Sequence, residues 1–168
     1  MLIKQHDKLF NMRVPRHIKL AYIESKGLGV FANRSFSKGD TVIRFKADIV
    51  PASKATPEAV QIDIDKFIDT TWLVPEAFIN HSCSANMRID LENFRYITIK
   101  NIRRNDELTY NYFTTEYDSV KYHEDFKCAC GSRNCLGLVK GFKYLTRAQK
   151  LKLKPCLSLF LLRKLRIK

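Results

Sequence analysis

Three of the five cysteines lie close together near the C-terminal end, in the pattern Cys128-x-Cys130-x4-Cys135. Thiolates this close repel one another unless a soft cation binds them, and Zn2+ takes four ligands in a tetrahedron. The cluster supplies only three ligands, so the fourth must come from elsewhere in the chain. The spacing therefore predicts a structural zinc site and leaves its fourth ligand open. The residue types allow four candidates: Cys83, Cys156, His81 and His123.

The cysteine count also bears on the compartment in which the chain works. An odd number of cysteines, with no apolar leader in residues 1–17, argues against a disulfide scaffold and for a reducing intracellular compartment. No apolar run approaches the ~20 residues that cross a bilayer, so we expect no transmembrane span.

Charge is distributed unevenly along the 168 residues, which carry a net charge of +13. Residues 140–168 contain ten Lys or Arg and no acidic residue, so residues 1–139 have a net charge of only +3. Within that nearly neutral part, residues 55–79 have a net charge of −4. Taken alone, the acidic segment could be an ordinary solvated surface patch and the basic segment an ordinary charged terminus. Together they are also compatible with a body that binds something basic and a tail that contacts something acidic.

Short strands separated by turns dominate the rest of the chain. Alternating and β-branched patterns predict four of them, at residues 17–23, 29–31, 40–45 and 95–100. Residues 56–77 give a mixed pattern, in which the two prolines are typical of a turn or a helical turn. Thr146 and Gln149 have the spacing of a capping box, which predicts a helix that Pro155 then interrupts. The pattern indicates a mostly β domain with a small helical appendix.

The segment that follows Pro155 is apolar but carries basic residues between its leucines. Such a segment could lie on a membrane, form a contact between copies, or pack as a helix on the body of the protein. The sequence leaves these alternatives open.

Four blocks follow the order and spacing of the SET domain, the fold of protein-lysine methyltransferases that use S-adenosylmethionine. They are Lys26-Gly27-Leu28-Gly29-Val30-Phe31-Ala32, Phe36-Ser37-Lys38-Gly39-Asp40, Phe78-Ile79-Asn80-His81-Ser82-Cys83-Ser84-Ala85-Asn86 and Asp106-Glu107-Leu108-Thr109-Tyr110-Asn111-Tyr112. The cysteine motif at residues 128–137 resembles the family's zinc-binding post-SET segment. The chain is thus similar to this family over roughly residues 18–139.

The resemblance implies a mostly β SET-domain (β-clip) fold with a threaded C-terminal segment, a zinc-binding post-SET region and a short helical tail. It implies that Cys83 is the fourth zinc ligand, beside Cys128, Cys130 and Cys135. The corresponding boundaries are an N-terminal extension at residues 1–17, a SET domain at 18–118, a post-SET zinc segment at 119–141 and a basic amphipathic tail at 142–168.

The resemblance also implies an activity and a set of site residues. Tyr112 corresponds to the family's catalytic tyrosine. Tyr110 falls in the channel for the substrate lysine, where a tyrosine disfavours successive methylations, and we expect Trp72 to line the same groove. The two tyrosines are two residues apart, so they share one face of a strand. That spacing is equally typical of aromatic residues in an ordinary apolar core. The residues expected to bind S-adenosylmethionine are Lys26, Gly27, Leu28, Gly29, Asn80, His81, Tyr112 and Leu138.

The expected function is therefore S-adenosylmethionine-dependent methylation of a lysine ε-amine, on a histone tail or another basic protein. The acidic segment at residues 55–79 would attract the basic peptide, while residues 140–168 would contact DNA or the nucleosome. We expect the nucleus or chromatin, of its own cell or of a host cell, as the location, and otherwise the cytoplasm. The rival interpretation is a catalytically weak, zinc-stabilised module that binds chromatin or nucleic acid.

Overall fold

The computed structural model describes residues 12–70, 74–122 and 125–166. Within them the chain forms short strands that make up four small sheets, with helices only in its C-terminal third and in short 3-10 turns. The strands are β1 (Ile18–Ile23), β2 (Gly27–Ala32), β3 (Thr41–Arg44), β4 (Asp48–Pro51), β5 (Val60–Asp63), β6 (Lys66–Asp69), β7 (Asn80–His81), β8 (Met87–Asp90), β9 (Arg95–Thr98), β10 (Thr109–Tyr110), β11 (Phe126–Lys127) and β12 (Leu138–Val139). The mostly β architecture expected from the sequence is confirmed.

The sheets are small because their strands are only two to six residues long. β1 and β2 form a hairpin of their own, β4, β6 and β5 form a three-stranded sheet in that order, and β11 pairs with β12. The largest sheet has five strands in the order β3-β9-β8-β10-β7. The four predicted strands correspond to β1, β2, β3 and β9.

Residues 56–77 differ from the expected mixture of turns. They contain β5 and β6, which pair antiparallel, before a 3-10 turn at Pro75–Phe78. β5 does carry a strand pattern, because Val60, Ile62 and Ile64 alternate with polar residues, and the sequence analysis did not use it. β6 lacks such a pattern, because the consecutive residues Phe67 and Ile68 are both buried.

Strand β10 is inserted between two strands that precede it in the chain. It runs parallel to β7 on one side and to β8 on the other. The Asn86 side chain fixes the start of β10. Its amide group donates to the Glu107 carbonyl (2.7 Å), and its amide oxygen accepts from the Thr109 N–H (2.9 Å). This insertion brings residues 110–112 next to Asn80 and His81.

Two hydrophobic clusters meet at the end of β10. The first fills the space between the five-stranded sheet and the β1–β2 hairpin, and the second lies beneath the C-terminal residues. Tyr112 packs against both clusters. The residue at which the two clusters join is thus the one that the sequence singles out for catalysis.

The C-terminal tail is part of the folded body. Helix α1 (Ser119–Tyr122) precedes the tail, which contains α2 (Arg147–Leu153) and α3 (Leu159–Arg166). The predicted capping box at Thr146 and Gln149 is present at the start of α2. Leu157, Phe160 and Leu161 are buried in the second cluster. Packing on the body, one of the three alternatives for this segment, is therefore what the structure contains.

Across the described residues, no helix combines the length and the apolar character that crossing a membrane requires.

Truncating Leu161 should destabilise the protein strongly. It is fully buried in the second cluster, so Leu161→Ala should lower the free energy of unfolding by about 2–5 kcal/mol through lost contacts and the cavity left behind. Leu159 lies on the same helix but is 51% exposed, so Leu159→Ala should change it by less than about 0.5 kcal/mol. Urea unfolding followed by circular dichroism compares the two. Equal losses would contradict the packing of α3 on the body.

Candidate active site

A cavity of about 370 Å³ opens between the β1–β2 turn and the chain around the cysteines. On one side it is lined by the turn residues Lys26 and Gly27, and at its base by Asn80 and His81 of β7. Residues 126–129 form the opposite wall, and the Tyr112 side chain closes the inner end. Four of the residues that the sequence predicts for cofactor binding, together with Tyr112, are therefore assembled around one cavity.

Two glycines at the start of β2 are favoured by their surroundings, for different reasons. Gly27 closes the β1–β2 turn with φ +79°, a conformation that side chains beyond glycine rarely adopt. At Gly29 a Cβ atom would lie 2.8 Å from the Ile23 side chain and 3.0 Å from Nδ2 of Asn80. The glycines thus let β2 approach Asn80 closely, and the Leu28 carbonyl accepts a hydrogen bond from its amide (3.2 Å).

Glu107 holds two of the residues that line the cavity, a role that the sequence analysis did not assign. Its carboxylate forms an ion pair with Lys26 and accepts a hydrogen bond from Asn80 Nδ2 (3.1 Å). Both partners come from segments distant in the sequence. The only signal in the sequence is that Glu107 belongs to the block that resembles the family, so its role became visible with the fold.

His81 holds the backbone of Tyr112. Its Nδ1 accepts a hydrogen bond from the Tyr112 N–H (3.1 Å), and its Nε2 lies 3.3 Å from Sγ of Cys83. Burial, and then the positive charge of Lys26, lower the pKa of His81 to about 4. The ring is therefore neutral at neutral pH, with its proton on Nε2, and it remains an acceptor for the tyrosine backbone.

Tyr112 presents a protonated phenol at the inner end of the cavity. Its hydroxyl donates to the Ile79 carbonyl (2.9 Å). Burial, and then the negative charges of Glu116 and Glu107, raise the pKa of Tyr112 well above its usual range. The ring stacks at a tilt on Tyr110, with 4.7 Å between the ring centroids. Its position and its protonation state are thus both fixed by neighbours.

A second cavity, of about 350 Å³, lies on the other side of Tyr112. Its aromatic walls include Tyr96 and Tyr110, both nearly fully buried. Tyr112 and Phe126 line both cavities and so form the partition between them. Phe126 carries no recognisable motif, which is why the sequence analysis did not select it. The sequence prediction that Tyr110 and Tyr112 lie at one site agrees with this geometry.

The cysteine cluster lies next to the first cavity. The Sγ atoms of four cysteines all lie within 4.8 Å of one another: Cys83, Cys128, Cys130 and Cys135. Zn–S bonds of ~2.3 Å in a tetrahedron place the sulfurs about 3.8 Å apart, so this set could hold one zinc ion. The N–H groups of Leu136 and Gly137 lie 3.4 Å from two of the sulfurs. The set is the one that the resemblance implies.

A cation would also offset the cost of burying these thiols. Burial raises the pKa of Cys83 to about 11, so this thiol would stay protonated at neutral pH without a metal. Bound zinc stabilises the thiolate form directly. The remaining cysteine, Cys156, lies outside the cluster and is half-buried.

Three of the residues predicted to bind the cofactor are not among those that line the cavity: Leu28, Gly29 and Leu138. Leu138 is 40% exposed on β12, where it pairs with Lys127, and it is not among the lining residues, so its contact with the cofactor stays a prediction. Trp72, expected in the substrate channel, and His123, a candidate zinc ligand, lie outside the described residues.

Comparisons with known proteins place this fold in a family. The SET domain profile matches residues 27–113, which is more than half of the chain. The chain therefore belongs to the SET domain family. Methyltransferase flvH of Aspergillus flavus is 37% identical over 98 residues, covering 55% of this chain and 50% of that protein. A histone-lysine N-methyltransferase of Gibberella zeae, H3 lysine-36 specific, is 24% identical over 165 residues, covering 86% of this chain and 18% of that protein.

A solved structure has the same fold. KRYPTONITE in complex with mCHG DNA and SAH superposes with a TM-score of 0.60 and 24% identity, covering 75% of this chain and 29% of that one. The SET fold expected from the sequence is confirmed. The chain spans half or less of the length of each of these proteins.

Metal content tests the cysteine site. We expect about one zinc per chain in the purified protein, and Cys128→Ser should lose most of it because three ligands do not complete the tetrahedron. Cys156→Ser removes a thiol outside the cluster and should retain the metal. Mass spectrometry of the metal content, with thermal unfolding with and without a chelator, makes the comparison. Equal zinc in Cys128→Ser and the wild type would refute this site.

Proposed function

We propose that the protein is an S-adenosylmethionine-dependent protein-lysine N-methyltransferase. The observation that carries the proposal is the pair of cavities that share Tyr112 and Phe126 as their common wall. One cavity has the polar and glycine-rich lining that suits a charged cofactor, and the other has aromatic walls that suit an alkyl amine. Methyl transfer needs the donor and the acceptor on opposite sides of a narrow junction, in line with each other.

The residues of the first cavity fit S-adenosylmethionine chemically. Gly27 lines the cavity without a side chain and with open space at its Cβ position, which leaves room for a ligand against the start of β2. Lys26 would bind the carboxylate of the cofactor, and the carbonyl groups near Asn80 would accept from its amino group. When bound, the cofactor supplies a methyl group on a positively charged sulfur. The predicted roles of Leu28, His81 and Leu138 belong to this same proposal.

The protein's own residues prepare the amine for attack. The buried walls formed by Tyr96 and Tyr110 exclude water from the lysine side chain, which lowers its pKa from the usual ~10.4 and favours loss of its proton. The Tyr112 hydroxyl, already donating to the Ile79 carbonyl, directs its oxygen lone pairs to the junction. Those lone pairs stabilise positive charge there, and orientation supplies most of the remaining rate.

We propose a histone tail or another basic protein as the substrate. The segment at residues 55–79, with its net charge of −4, would attract a cationic peptide. Several relatives are named as histone-lysine N-methyltransferases, among them ASHR3 of Arabidopsis thaliana, which is 26% identical over 145 residues. A histone substrate would locate the protein on chromatin in the nucleus, whereas a different basic protein would allow the cytoplasm.

The tail supports a second contact, with the phosphate backbone of DNA. Helix α3 turns its apolar face to the body, and several cations of the tail remain exposed to solvent. Arg147, Lys152, Lys154 and Arg166 are exposed. We propose that this basic face binds the DNA of a nucleosome while the acidic segment binds the peptide. The proposed domain boundaries follow the same division, with the SET domain at residues 18–118, the zinc segment at 119–141 and the tail at 142–168.

The rival function, a zinc-stabilised binding module without catalysis, does not require a cofactor in the first cavity. Only the enzyme needs the cofactor, so calorimetry with S-adenosylmethionine and S-adenosylhomocysteine separates the two functions. The cavity of about 370 Å³ beside Lys26, Asn80 and His81 favours the enzyme.

Loss of the Tyr112 hydroxyl should abolish most of the activity. In an assay with labelled S-adenosylmethionine and a mixture of histones and ribosomal proteins, Tyr112→Phe should be slower by about 100-fold or more, because it removes an oriented oxygen at the junction. Tyr22→Phe, on an exposed tyrosine of β1, is the matched control and should behave as the wild type. Identical rates for wild type and Tyr112→Phe would refute the proposed mechanism.

Neutralising the basic face should weaken DNA binding in a salt-dependent way. Replacing Arg147, Lys152 and Lys154 together by Gln should lower the slope of log K against log salt by up to about three, because each cation that contacts a phosphate releases counterions. Methylation of a free peptide should not change, whereas methylation of nucleosomes should fall. Fluorescence anisotropy with a duplex of random sequence measures the slope.

The matched control is the same change of charge on the body. Lys38, Lys54 and Arg104 are exposed outside the tail, and their joint replacement by Gln should leave the slope nearly unchanged. An equal fall in both variants would mean that total charge, and not the tail, determines binding.

A further inference from the structure

One buried hydroxyl in the second cavity has no hydrogen-bond partner among the described residues. It belongs to Tyr96 of β9, which is 3% exposed and lines this cavity of about 350 Å³. In the described part of the chain, every buried side-chain nitrogen or oxygen that no solvent molecule can reach has a partner. The Tyr96 oxygen is therefore open to the cavity, where a ligand atom can reach it.

The fold holds the Tyr96 ring in place. Its backbone pairs with Ile43 of β3 on one side and with Ile89 of β8 on the other. The ring packs against Phe45, with 5.5 Å between the ring centroids, and against the edge of Tyr110, at 5.6 Å. The hydroxyl is thus positioned before any ligand arrives, and turning it towards another partner would disrupt the core.

The other tyrosine hydroxyls that line this cavity already have neighbours to bind. That of Tyr112 donates to the Ile79 carbonyl, and that of Tyr110 faces the side chain of Thr115. A buried hydroxyl without a partner lowers stability, and a phenylalanine at Tyr96 would fill the same space without that cost. We therefore expect the Tyr96 hydroxyl to bind a group that enters the cavity.

The chemistry of the hydroxyl indicates which group this is. Burial raises the pKa of Tyr96 well above its usual range, so the phenol is uncharged at neutral pH. An uncharged oxygen can accept from an N–H group without holding an extra proton on the nitrogen, as a carboxylate would. When an amine attacks a methyl group, positive charge develops on its nitrogen and its N–H groups become stronger donors. A hydrogen bond to this oxygen is therefore stronger in the transition state than before it.

We propose that the Tyr96 hydroxyl accepts a hydrogen bond from the uncharged ε-amine of the substrate lysine and directs the nitrogen lone pair to the junction at Tyr112. The proposal rests on the proposed function, because it assigns a substrate-binding residue to that site. The amine has first lost one proton to solvent. Its lone pair forms the new N–C bond while the S–CH3 bond of the sulfonium breaks, and the electron pair of that bond goes to sulfur.

Steady-state kinetics test the proposal on the histone or basic protein that the wild type methylates. Tyr96→Phe should lower kcat about threefold to tenfold, the range of one uncharged hydrogen bond, while KM changes less. Tyr22→Phe, which removes an exposed hydroxyl from β1, is the matched control and should leave both constants unchanged. Thermal unfolding excludes a structural cause, because Tyr96→Phe should unfold at the wild-type temperature or above it.

A binding experiment gives a result that does not require activity. The probes are n-butanol, which has the length of the lysine side chain and an uncharged donor at its end, and 1-fluorobutane, which has the same length and no donor. Each is titrated into the protein with S-adenosylhomocysteine present and followed by NMR. Wild type and Tyr22→Phe should prefer butanol about threefold to tenfold, and Tyr96→Phe should bind the two probes equally.

The outcomes separate this proposal from the proposed function. A wild type that does not methylate, but whose preference for butanol is lost in Tyr96→Phe, would contradict the function and leave the Tyr96 site supported. An active wild type whose kcat and butanol preference are the same in Tyr96→Phe would overturn the Tyr96 site and leave the function supported. Unfolding of Tyr96→Phe well below the wild-type temperature would also overturn it, because the hydroxyl would then have a structural partner.

Discussion

The position of Tyr112 depends on its hydrogen bonds to the strand that carries Asn80 and His81. The His81 ring accepts from the backbone of Tyr112, and the Ile79 carbonyl accepts from its hydroxyl. Both interactions exist because β10 pairs with β7, which places residues 110–112 beside residues 79–81. The two cavities follow from this arrangement, since the ring that these bonds fix is the wall between them. A histidine with its pKa lowered by burial is suited to this task, because it remains an acceptor at neutral pH.

The cysteine cluster connects the strand that positions Tyr112 to the cavity wall formed by residues 126–129. Cys83 follows His81 by two residues, and Cys128 adjoins the wall that includes Phe126. A metal bound by the four thiols would therefore tie that wall to the strand that positions Tyr112. β11 pairs with β12 over only two residues, which is little support for a cavity wall. The position of this wall would thus depend on the metal. The proposed zinc would support binding of the cofactor without taking part in methyl transfer.

The sequence predicted those parts of the fold that local patterns determine. β1, β2, β3 and β9 have β-branched or alternating residues, and the capping box of α2 requires only residues 146–149. β5 was missed although its residues alternate, because the two prolines of residues 56–77 were given more weight, and β6 was missed because its consecutive apolar residues show no alternation. For the site, motifs located the cysteine cluster, Asn80, His81 and Tyr112. They did not locate the roles of Glu107 and Phe126, because a role that arises from contact between distant segments has no short-range signal.

The tail shows how net charge and packing can lead to different conclusions about one segment. Its ten cations are typical of a detachable docking arm, yet Phe160 and Leu161 are buried beside Phe113, the residue that follows Tyr112. The Ser158 N–H also donates to the Thr114 carbonyl in the turn after Tyr112 (2.9 Å). Deleting the tail would therefore remove part of the core that supports Tyr112 and would impair catalysis on every substrate. Only changes confined to the outward-facing cations can separate docking on an acidic partner from the stability of the active site.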